Sequence, residues 1–346
     1  MDALNYGFLD RAVHRLAFKV DFGQEMLRDM EERLYGAEIA KQPVDSPIFV
    51  TSLARAGTTL LLEILAKHPD VVTHTYRDMP FVLSPLMWRK LSGRFRVDLA
   101  RRERSHSDGM LVDADSPEAF EEVMWLRECP ELFGEDGIAL GPETGDRIAE
   151  PKSDLIRRLI ASRGPADAPR YVSKNNANIA RLSAIRDAFP DARFVVPLRA
   201  PLDHAMSLHR QHMRYLDIHA ESGFASDYMR DIGHFEFGDL HRPILFPGMD
   251  AVIEAHDPKS LDYWLAYWIC AYRHIAERDD VCFVDMERFT RAPDVAELLK
   301  RLGLRADEAT EQAGTALVLP IKRYDRPDGV SDALFESADA LFQSLR

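Results

Sequence analysis

Apolar positions along the chain follow two different periods. Short continuous apolar runs of strand length are separated by segments in which apolar residues recur at helical spacing. The runs cover residues 48–50, 170–173, 193–198 and 281–284. Continuous apolar strands that alternate with helices are typical of a parallel sheet covered on both faces. The sequence therefore predicts an α/β fold, in which a three-layer parallel sheet is flanked by helices and carries helical and loop insertions.

The predicted helices are marked by end signals as well as by periodicity. Ser116 followed by proline predicts one helix start, and Pro201 with Asp203 predicts another directly after the third strand. Further helices are predicted over residues 3–36, 57–68, 179–189, 260–278, 295–302 and 334–345. Residues 129–168 and 216–258 are rich in glycine, proline and acidic or histidine residues, so both are predicted to be loop-rich.

Two amphipathic patterns bear on packing. Trp264, Trp268 and Tyr272 recur at helical spacing within residues 260–278, which predicts a core-facing stripe rather than a ligand site. The apolar stripe within residues 3–36 has acidic residues on its polar face, so we expect it to pack on this chain or on a second subunit. A homo-oligomer is compatible with that stripe.

Residues 47–69 combine a buried strand, a tight loop and the start of a helix, and this combination indicates an anion site. The helix that begins at Gly57 presents unpaired backbone N–H groups and the positive end of its dipole to the loop. Arg55 adds a full positive charge, and Thr58 and Thr59 add hydroxyl donors. We therefore expect the loop to bind a phosphate or a similar anion.

The loop differs from the common nucleoside triphosphate loop. The Walker A spacing would need glycine at position 52 and lysine at position 58, where this chain has Ser52 and Thr58. Ordinary ATP or GTP hydrolysis is therefore disfavoured.

Composition excludes several classes of function. The 346 residues carry a formal net charge of -13, which argues against a nucleic-acid partner. Three well-separated cysteines form no metal-ligand pattern and no disulfide framework, and we expect no metal site. The N-terminal residues lack a signal-peptide pattern and no window reaches the length of a membrane span, so we expect a cytoplasmic protein without a transmembrane anchor.

Two blocks of sequence resemble the PAPS-dependent sulfotransferases, in which PAPS is 3′-phosphoadenylyl sulfate. The run ARAGTTLLLEILAKHPD at 54–70 resembles the family's 5′-phosphosulfate-binding loop. The run FPDARFVVPLRAPLDHAMSL at 189–208 is similar to its 3′-phosphate block, an apolar strand that ends in Arg199 with Ser207 eight residues later. Two shorter segments, 174–182 and 281–289, also resemble family segments. With arginine in the first loop, the chain looks most like the bacterial stand-alone branch.

The resemblance implies a P-loop-NTPase-like fold and a sulfuryl transfer from PAPS to an acceptor hydroxyl by in-line displacement. It leaves adenosine 3′,5′-bisphosphate (PAP) as product and implies no metal. The residues that it implies for nucleotide binding are Arg55, Ala56, Gly57, Thr58, Thr59, Arg199, Ser207, Lys322 and Arg323. Arg55 is the expected stabiliser of the leaving phosphate.

The general base for the acceptor hydroxyl is less well defined by the sequence. His74, Asp78 and His106 are candidates, and His106 and Asp78 are favoured because both lie in polar turns beside expected pocket walls. Lys174 is a candidate ligand of the nucleotide or the sulfuryl oxygens.

The predicted domain organisation is one sulfotransferase-like α/β domain over residues 1–346. Residues 1–42 form a helical extension, and insertions at 89–168 and 216–258 shape the pocket for a small-molecule, sugar or lipid acceptor. Two alternatives stay open: a P-loop kinase or NTPase, for which Asp285 imitates a Walker B acid, and a regulatory protein that binds a nucleotide without catalysis.

Overall fold

The computed structural model describes residues 23–92, 115–163 and 169–346, together with the backbone of residues 102–103 and 111–112. The strands are β1 (Ile48–Val50), β2 (Val71–Val72), β3 (Arg102–Glu103), β4 (Leu111–Val112), β5 (Arg170–Lys174), β6 (Arg193–Leu198) and β7 (Val281–Asp285). The α-helices are α1 (Gly23–Ile39), α2 (Thr58–Leu65), α3 (Pro85–Ser92), α4 (Glu122–Glu128), α5 (Asp146–Arg163), α6 (Leu182–Ala188), α7 (Pro201–Glu221), α8 (Gly223–Asp231), α9 (Met249–Ala255), α10 (Leu261–Ile275), α11 (Met286–Arg291), α12 (Val295–Arg301), α13 (Glu308–Leu317) and α14 (Asp332–Ser344). Short 3₁₀ turns cover Tyr76–Asp78, Pro130–Leu132, Asn176–Ala180 and Gly238–Leu240.

Five strands form a parallel sheet in the order β2-β5-β1-β6-β7, and β3 and β4 pair antiparallel outside it. Strand β1 is central, with Phe49 opposite Ser173 of β5 and Phe194 of β6. All three strands end at the same edge of the sheet, where parallel α/β proteins bind their ligands. The predicted α/β fold with a parallel sheet is confirmed.

Helices cover both faces of this sheet because successive side chains of a strand point to opposite sides. Phe49 belongs to an apolar cluster that includes Leu159 of α5. Ile48 belongs to a second cluster with Leu61 of α2 and Leu299 of α12. The chain is therefore built in three layers, and β1 is buried on both sides.

The predicted helix start at Ser116 is wrong. Residues 116–118 instead pair with the turn after β2: the Tyr76 amide donates to the Ser116 carbonyl, and Pro117 forms a bridge with Thr75. Helix α4 begins only at Glu122. Tertiary pairing thus overrides a local signal that is favourable by sequence alone.

The described residues of the two segments predicted as loop-rich contain helices as well as loops. Residues 129–168 contain α5, which runs through Pro151, and residues 216–258 contain the end of α7 together with α8 and α9. Proline in a helix interior removes a hydrogen bond and is unfavourable locally. Helix α5 forms nevertheless because Leu155 and Leu159 are buried in the core, so packing outweighs propensity.

The aromatic stripe is confirmed as core. Trp264, Trp268 and Tyr272 are all buried on α10, which begins after its N-cap Ser260. The apolar stripe predicted before residue 21 lies outside the described residues. None of the helices in the described part of the chain is both long and apolar enough to cross a membrane.

Two buried ion pairs anchor the segment around α4. The Lys152 Nζ lies 2.6 Å from Glu121 Oε1, and Arg181 donates from Nη1 and Nη2 to both Glu122 oxygens at 2.7 Å each. The side chain of Asn175 also donates to Glu122, at 2.6 Å. These contacts join α4 to α5 and to the segment after β5, beside the edge of the sheet where the strands end.

Candidate functional site

The loop between β1 and α2 is open at the helix N-terminus. Helix α2 begins at Thr58, and its N-cap residue, Gly57, has a φ of 112° and makes no side-chain cap. A Cβ on Gly57 would lie 2.7 Å from the Met286 side chain, so only glycine fits there. Helix α2 thus begins at the loop without a side-chain cap on its first amides, as an anion site requires.

Arg55 has a left-handed backbone, with a φ of 69°. This conformation is unfavourable for a residue with a side chain, so the surrounding contacts must hold it. The Ala54 carbonyl accepts a hydrogen bond of 2.7 Å from His204 Nε2, and the Arg55 carbonyl accepts one of 3.2 Å from Arg199 Nη1. Both donors come from the segment that follows β6.

The segment after β6 adds a basic and a hydroxyl side chain to the site. Arg199 follows β6 directly, and Ser207 lies in the second turn of α7. Arg55 Nε donates to Ser207 Oγ at 3.3 Å, so the two sequence blocks are in direct contact through both side chain and backbone. Arg199 is buried, and its Nε has no hydrogen-bond partner among the described residues. Burial lowers the pKa of this guanidinium, an effect that the Asp203 carboxylate opposes.

The late basic segment lies against the start of α7. The Lys322 carbonyl accepts a hydrogen bond of 2.8 Å from Arg199 Nη2, and the Tyr324 amide donates to Asp203 at 2.7 Å. The Arg323 guanidinium contacts Glu287 of α11 at 3.1 Å. The structure therefore brings the backbone of Lys322 to Arg199, whereas the Arg323 side chain is turned toward α11.

A cavity of about 580 Å³, which we name the donor cavity, lies beside this loop. Its lining residues are Ala54, Arg55, Thr58, Thr59, Lys174, Asn176, Tyr215, His219, Met229, His234, Glu236 and Phe237. Lys174 stands at the end of β5, where its Nζ lies 4.0 Å from Glu118 Oε1. Despite the negative charge of the whole chain, two cations therefore face this space at the end of the parallel strands.

Asn176 connects the loop to the opposite wall, a role that was not predicted from the sequence. Its Oδ1 accepts a hydrogen bond from Thr58 Oγ1 at 3.3 Å, and its carbonyl accepts one from Thr51 Oγ1 at 3.2 Å. Its Nδ2 donates to Glu236 Oε1 at 3.0 Å. Glu236 and His234 were not candidates either, because they lie in a segment predicted only to be loop-rich.

A second cavity of about 600 Å³, which we name the apolar cavity, adjoins the donor cavity. Ala54, Asn176, His234, Glu236 and Phe237 line both. Beyond this shared wall, the apolar cavity is lined mainly by buried apolar and aromatic side chains, among them Leu53, Ile138, Leu208, Phe235, Ile244, Trp264 and Tyr267.

Of the two favoured candidates for the general base, only Asp78 belongs to the described residues, and it lines neither cavity. Asp78 is buried and accepts a hydrogen bond of 3.0 Å from Arg163, while His74 Nδ1 lies 3.6 Å from its carboxylate. Burial opposes ionisation of Asp78, but the neighbouring His74 ring and the Arg163 charge outweigh it and hold its pKa well below the usual range. Such a carboxylate is a weak proton acceptor, and among the described residues Asp78 lines neither cavity. His106 lies outside the described residues.

Two buried histidines near the site are held neutral. Burial lowers the pKa of His204 to about 3 and that of His241 to about 3. His204 Nε2 faces a carbonyl, so this nitrogen carries the proton of the neutral ring. Because unfolding restores ordinary histidine pKa values near 6.5, the unfolded chain binds protons at a pH where the folded chain does not.

We expect the free energy of unfolding to fall as the pH is lowered below about 6.5, by up to about 1.4 kcal/mol per pH unit for each of these histidines. Urea unfolding at several pH values between about 5 and 7 measures the slope, since carboxylates contribute mainly at lower pH. His204→Gln should reduce the slope, whereas His256→Gln, on a half-exposed residue outside both cavities, should leave it unchanged. An equal slope in wild type and His204→Gln would contradict the assignment.

The chain is similar to known proteins in sequence and in fold. The model of the sulfotransferase family matches residues 47–236, more than half of the chain. A search of curated proteins found no match. Sulfotransferase STF9 from Mycobacterium avium is similar in fold, with 15% identity, a TM-score of 0.51 and coverage of 96% of this chain and 82% of that one. Sulfotransferase STF1 from Mycobacterium tuberculosis H37Rv is 17% identical, with a TM-score of 0.45 over 99% of this chain and 87% of that one.

Proposed function

Because the chain belongs to the sulfotransferase family, we propose that it transfers a sulfuryl group from PAPS to the hydroxyl of a small-molecule acceptor by in-line displacement. The observation that carries the proposal is the contact between the two anion-binding blocks. Arg55 Nε reaches Ser207 Oγ, and Arg199 Nη1 reaches the Arg55 carbonyl. A nucleotide with phosphates at both its 5′ and 3′ positions needs two anion sites at such close range.

We assign a separate group of residues to each of the two phosphates of the nucleotide. Arg55, Thr58, Thr59 and the amides at the start of α2 serve the 5′-phosphosulfate, because they line the donor cavity. We assign Arg199 and Ser207 to the 3′-phosphate; the Nε of Arg199 is buried without a hydrogen-bond partner among the described residues, and a bound phosphate would satisfy it. Charge-assisted hydrogen bonds of this kind contribute about 1.5–3 kcal/mol each, which is sufficient to select a doubly phosphorylated nucleotide.

The transfer itself needs positioning and charge stabilisation more than covalent help. A bond forms between the acceptor oxygen and sulfur while the bond from sulfur to the 5′-phosphate oxygen breaks. The electron pair stays on that phosphate, which leaves as part of PAP. Arg55 and the α2 amides stabilise the charge that develops on the leaving oxygen.

PAP should raise the melting temperature of the protein more than MgATP at equal concentration. A ligand at about 100 times its dissociation constant stabilises the folded state by about 2.7 kcal/mol. Thermal unfolding with PAP, with adenosine 5′-phosphate and with MgATP measures the preference. Stabilisation by MgATP alone would favour the kinase or NTPase alternative, in which Asp285 would bind a metal rather than pair with Arg346 at 2.7 Å.

Ser207→Ala tests the assignment of the 3′-phosphate site. The variant should lose part of the preference for PAP over adenosine 5′-phosphate, because only PAP carries the phosphate assigned to Ser207, while Arg199 remains to bind it. The affinity for adenosine 5′-phosphate should stay the same. Formation of PAP from PAPS in the presence of an acceptor then separates an enzyme from a protein that only binds the nucleotide.

A further inference from the structure

The apolar cavity has the chemistry of a site for a ring-bearing molecule. Phe235, Phe237, Trp264 and Tyr267 contribute aromatic walls. Small-molecule sites are mainly apolar with a few placed polar groups, and the lining of this cavity has that composition.

Most polar groups in this cavity already have partners within the protein. Both Glu122 oxygens accept from Arg181, and Asn175 also donates to this carboxylate. The His241 Nε2 lies 2.8 Å from the Tyr263 hydroxyl, and the Tyr267 hydroxyl accepts from the Ile244 amide at 3.1 Å. A polyhydroxylated sugar would leave many of its hydroxyls without partners here, and such burial is costly.

Glu236 is the acid on the wall that the two cavities share. Its Oε1 accepts a hydrogen bond from Asn176 Nδ2 at 3.0 Å, and its backbone carbonyl accepts one from His241 Nδ1 at 2.7 Å. Both the carboxylate and the backbone of Glu236 are therefore held in place. Among the described residues, none donates a hydrogen bond to Oε2. One carboxylate oxygen therefore remains available between the phosphosulfate loop and the aromatic walls.

We infer that the apolar cavity binds the acceptor as an uncharged, ring-bearing alcohol or phenol, and that Glu236 is its general base. This inference rests on the proposed function. The acceptor proton passes to Glu236 Oε2 as the oxygen attacks sulfur, and the sulfur–phosphate oxygen bond breaks with its electrons retained on PAP. Asn176 positions the base, because the same amide also contacts Thr58 at the start of α2.

The acceptor class is tested with PAPS and three alcohols: benzyl alcohol, cyclohexylmethanol and methyl glucoside. Formation of PAP and of the sulfate ester is measured for each. We expect kcat/KM for both apolar alcohols to exceed that for methyl glucoside by at least about a hundredfold, because several buried hydroxyls would lack partners. Equal or better turnover of methyl glucoside overturns the inference, as does absence of turnover with both apolar alcohols while PAP still stabilises the protein.

The base is tested with Glu236→Gln, which keeps an oxygen to accept from Asn176 but cannot take the proton. With benzyl alcohol we expect kcat to fall by at least about a hundredfold. The melting-temperature shift with PAP should match that of wild type. The matched control is Glu254→Gln on the exposed side of α9, which should keep full turnover.

His234→Gln tests the other titratable side chain on the shared wall, whose Nε2 lies 3.3 Å from the Ala119 carbonyl. Wild-type turnover in Glu236→Gln, together with a loss in His234→Gln, overturns the assignment of the base. Failure of wild-type protein to bind PAP is a different result, because it removes the proposed function itself.

Discussion

Replacing Arg55 by alanine is expected to lower kcat by about a thousandfold while the protein stays folded. Arg55 lies on the loop between β1 and α2 and lines the donor cavity. Its Nε contacts Ser207, so its guanidinium stands between the two expected phosphate positions. Removing it leaves the charge on the leaving phosphate to the α2 amides and the Thr58 and Thr59 hydroxyls, which carry no full positive charge. Turnover of PAPS with benzyl alcohol measures the effect.

Arg55→Lys and Arg33→Ala are the controls for this prediction. Lysine keeps the charge but cannot form the two-pronged contact of arginine, so we expect an intermediate loss. Arg33 is exposed on α1, and its replacement should change neither turnover nor the effect of PAP. If Arg55→Ala retains turnover within about threefold of wild type, Arg55 does not stabilise the transition state.

The second large effect concerns stability. Arg181→Met should lower the free energy of unfolding by about 3–5 kcal/mol, because it leaves the Glu122 carboxylate buried without its charged partner. Arg181 is 1% exposed, and its guanidinium also lies 4.5 Å from the centre of the Trp125 ring. Urea unfolding at pH 7 measures the loss.

A double-mutant cycle separates the ion pair from the packing. Glu122→Gln retains an oxygen for Asn175, and the double variant Arg181→Met/Glu122→Gln contains no unpaired charge. We expect the double variant to be clearly more stable than the sum of the two single losses predicts. Strict additivity would show that the two side chains do not interact. Lys300→Met, on an exposed lysine of α12, is the control and should stay near the wild-type value.

The sequence was most informative where local chemistry decides the structure. Strand β6 spans the residues predicted for it, because an apolar run bounded by polar turns can only be a buried strand here. Gly57 was identified as the helix start, and it is the N-cap with the backbone angle that glycine permits. The direct contact between Arg55 and Ser207 agrees with the two-block pattern of the resemblance.

The sequence was least informative where distant residues decide. The role of Glu121 and Glu122 as buried partners depends on Lys152 and Arg181, which no spacing rule connects to them. Asp78 appeared to be an available acid because its partner Arg163 lies 85 positions away. Glu236 gave no signal for a similar reason, since its contact with Asn176 spans 60 positions.

The division between the two cavities has a consequence for redesign. Side chains such as Ile138, Ile244 and Trp264 line only the apolar cavity, whereas Arg55 and Thr58 line only the donor cavity. If the proposed function holds, residues that line only the apolar cavity can be replaced to change the acceptor without altering the residues assigned to the nucleotide. Asn176 limits this freedom, because its amide contacts both Thr58 on the donor-cavity side and Glu236 on the shared wall.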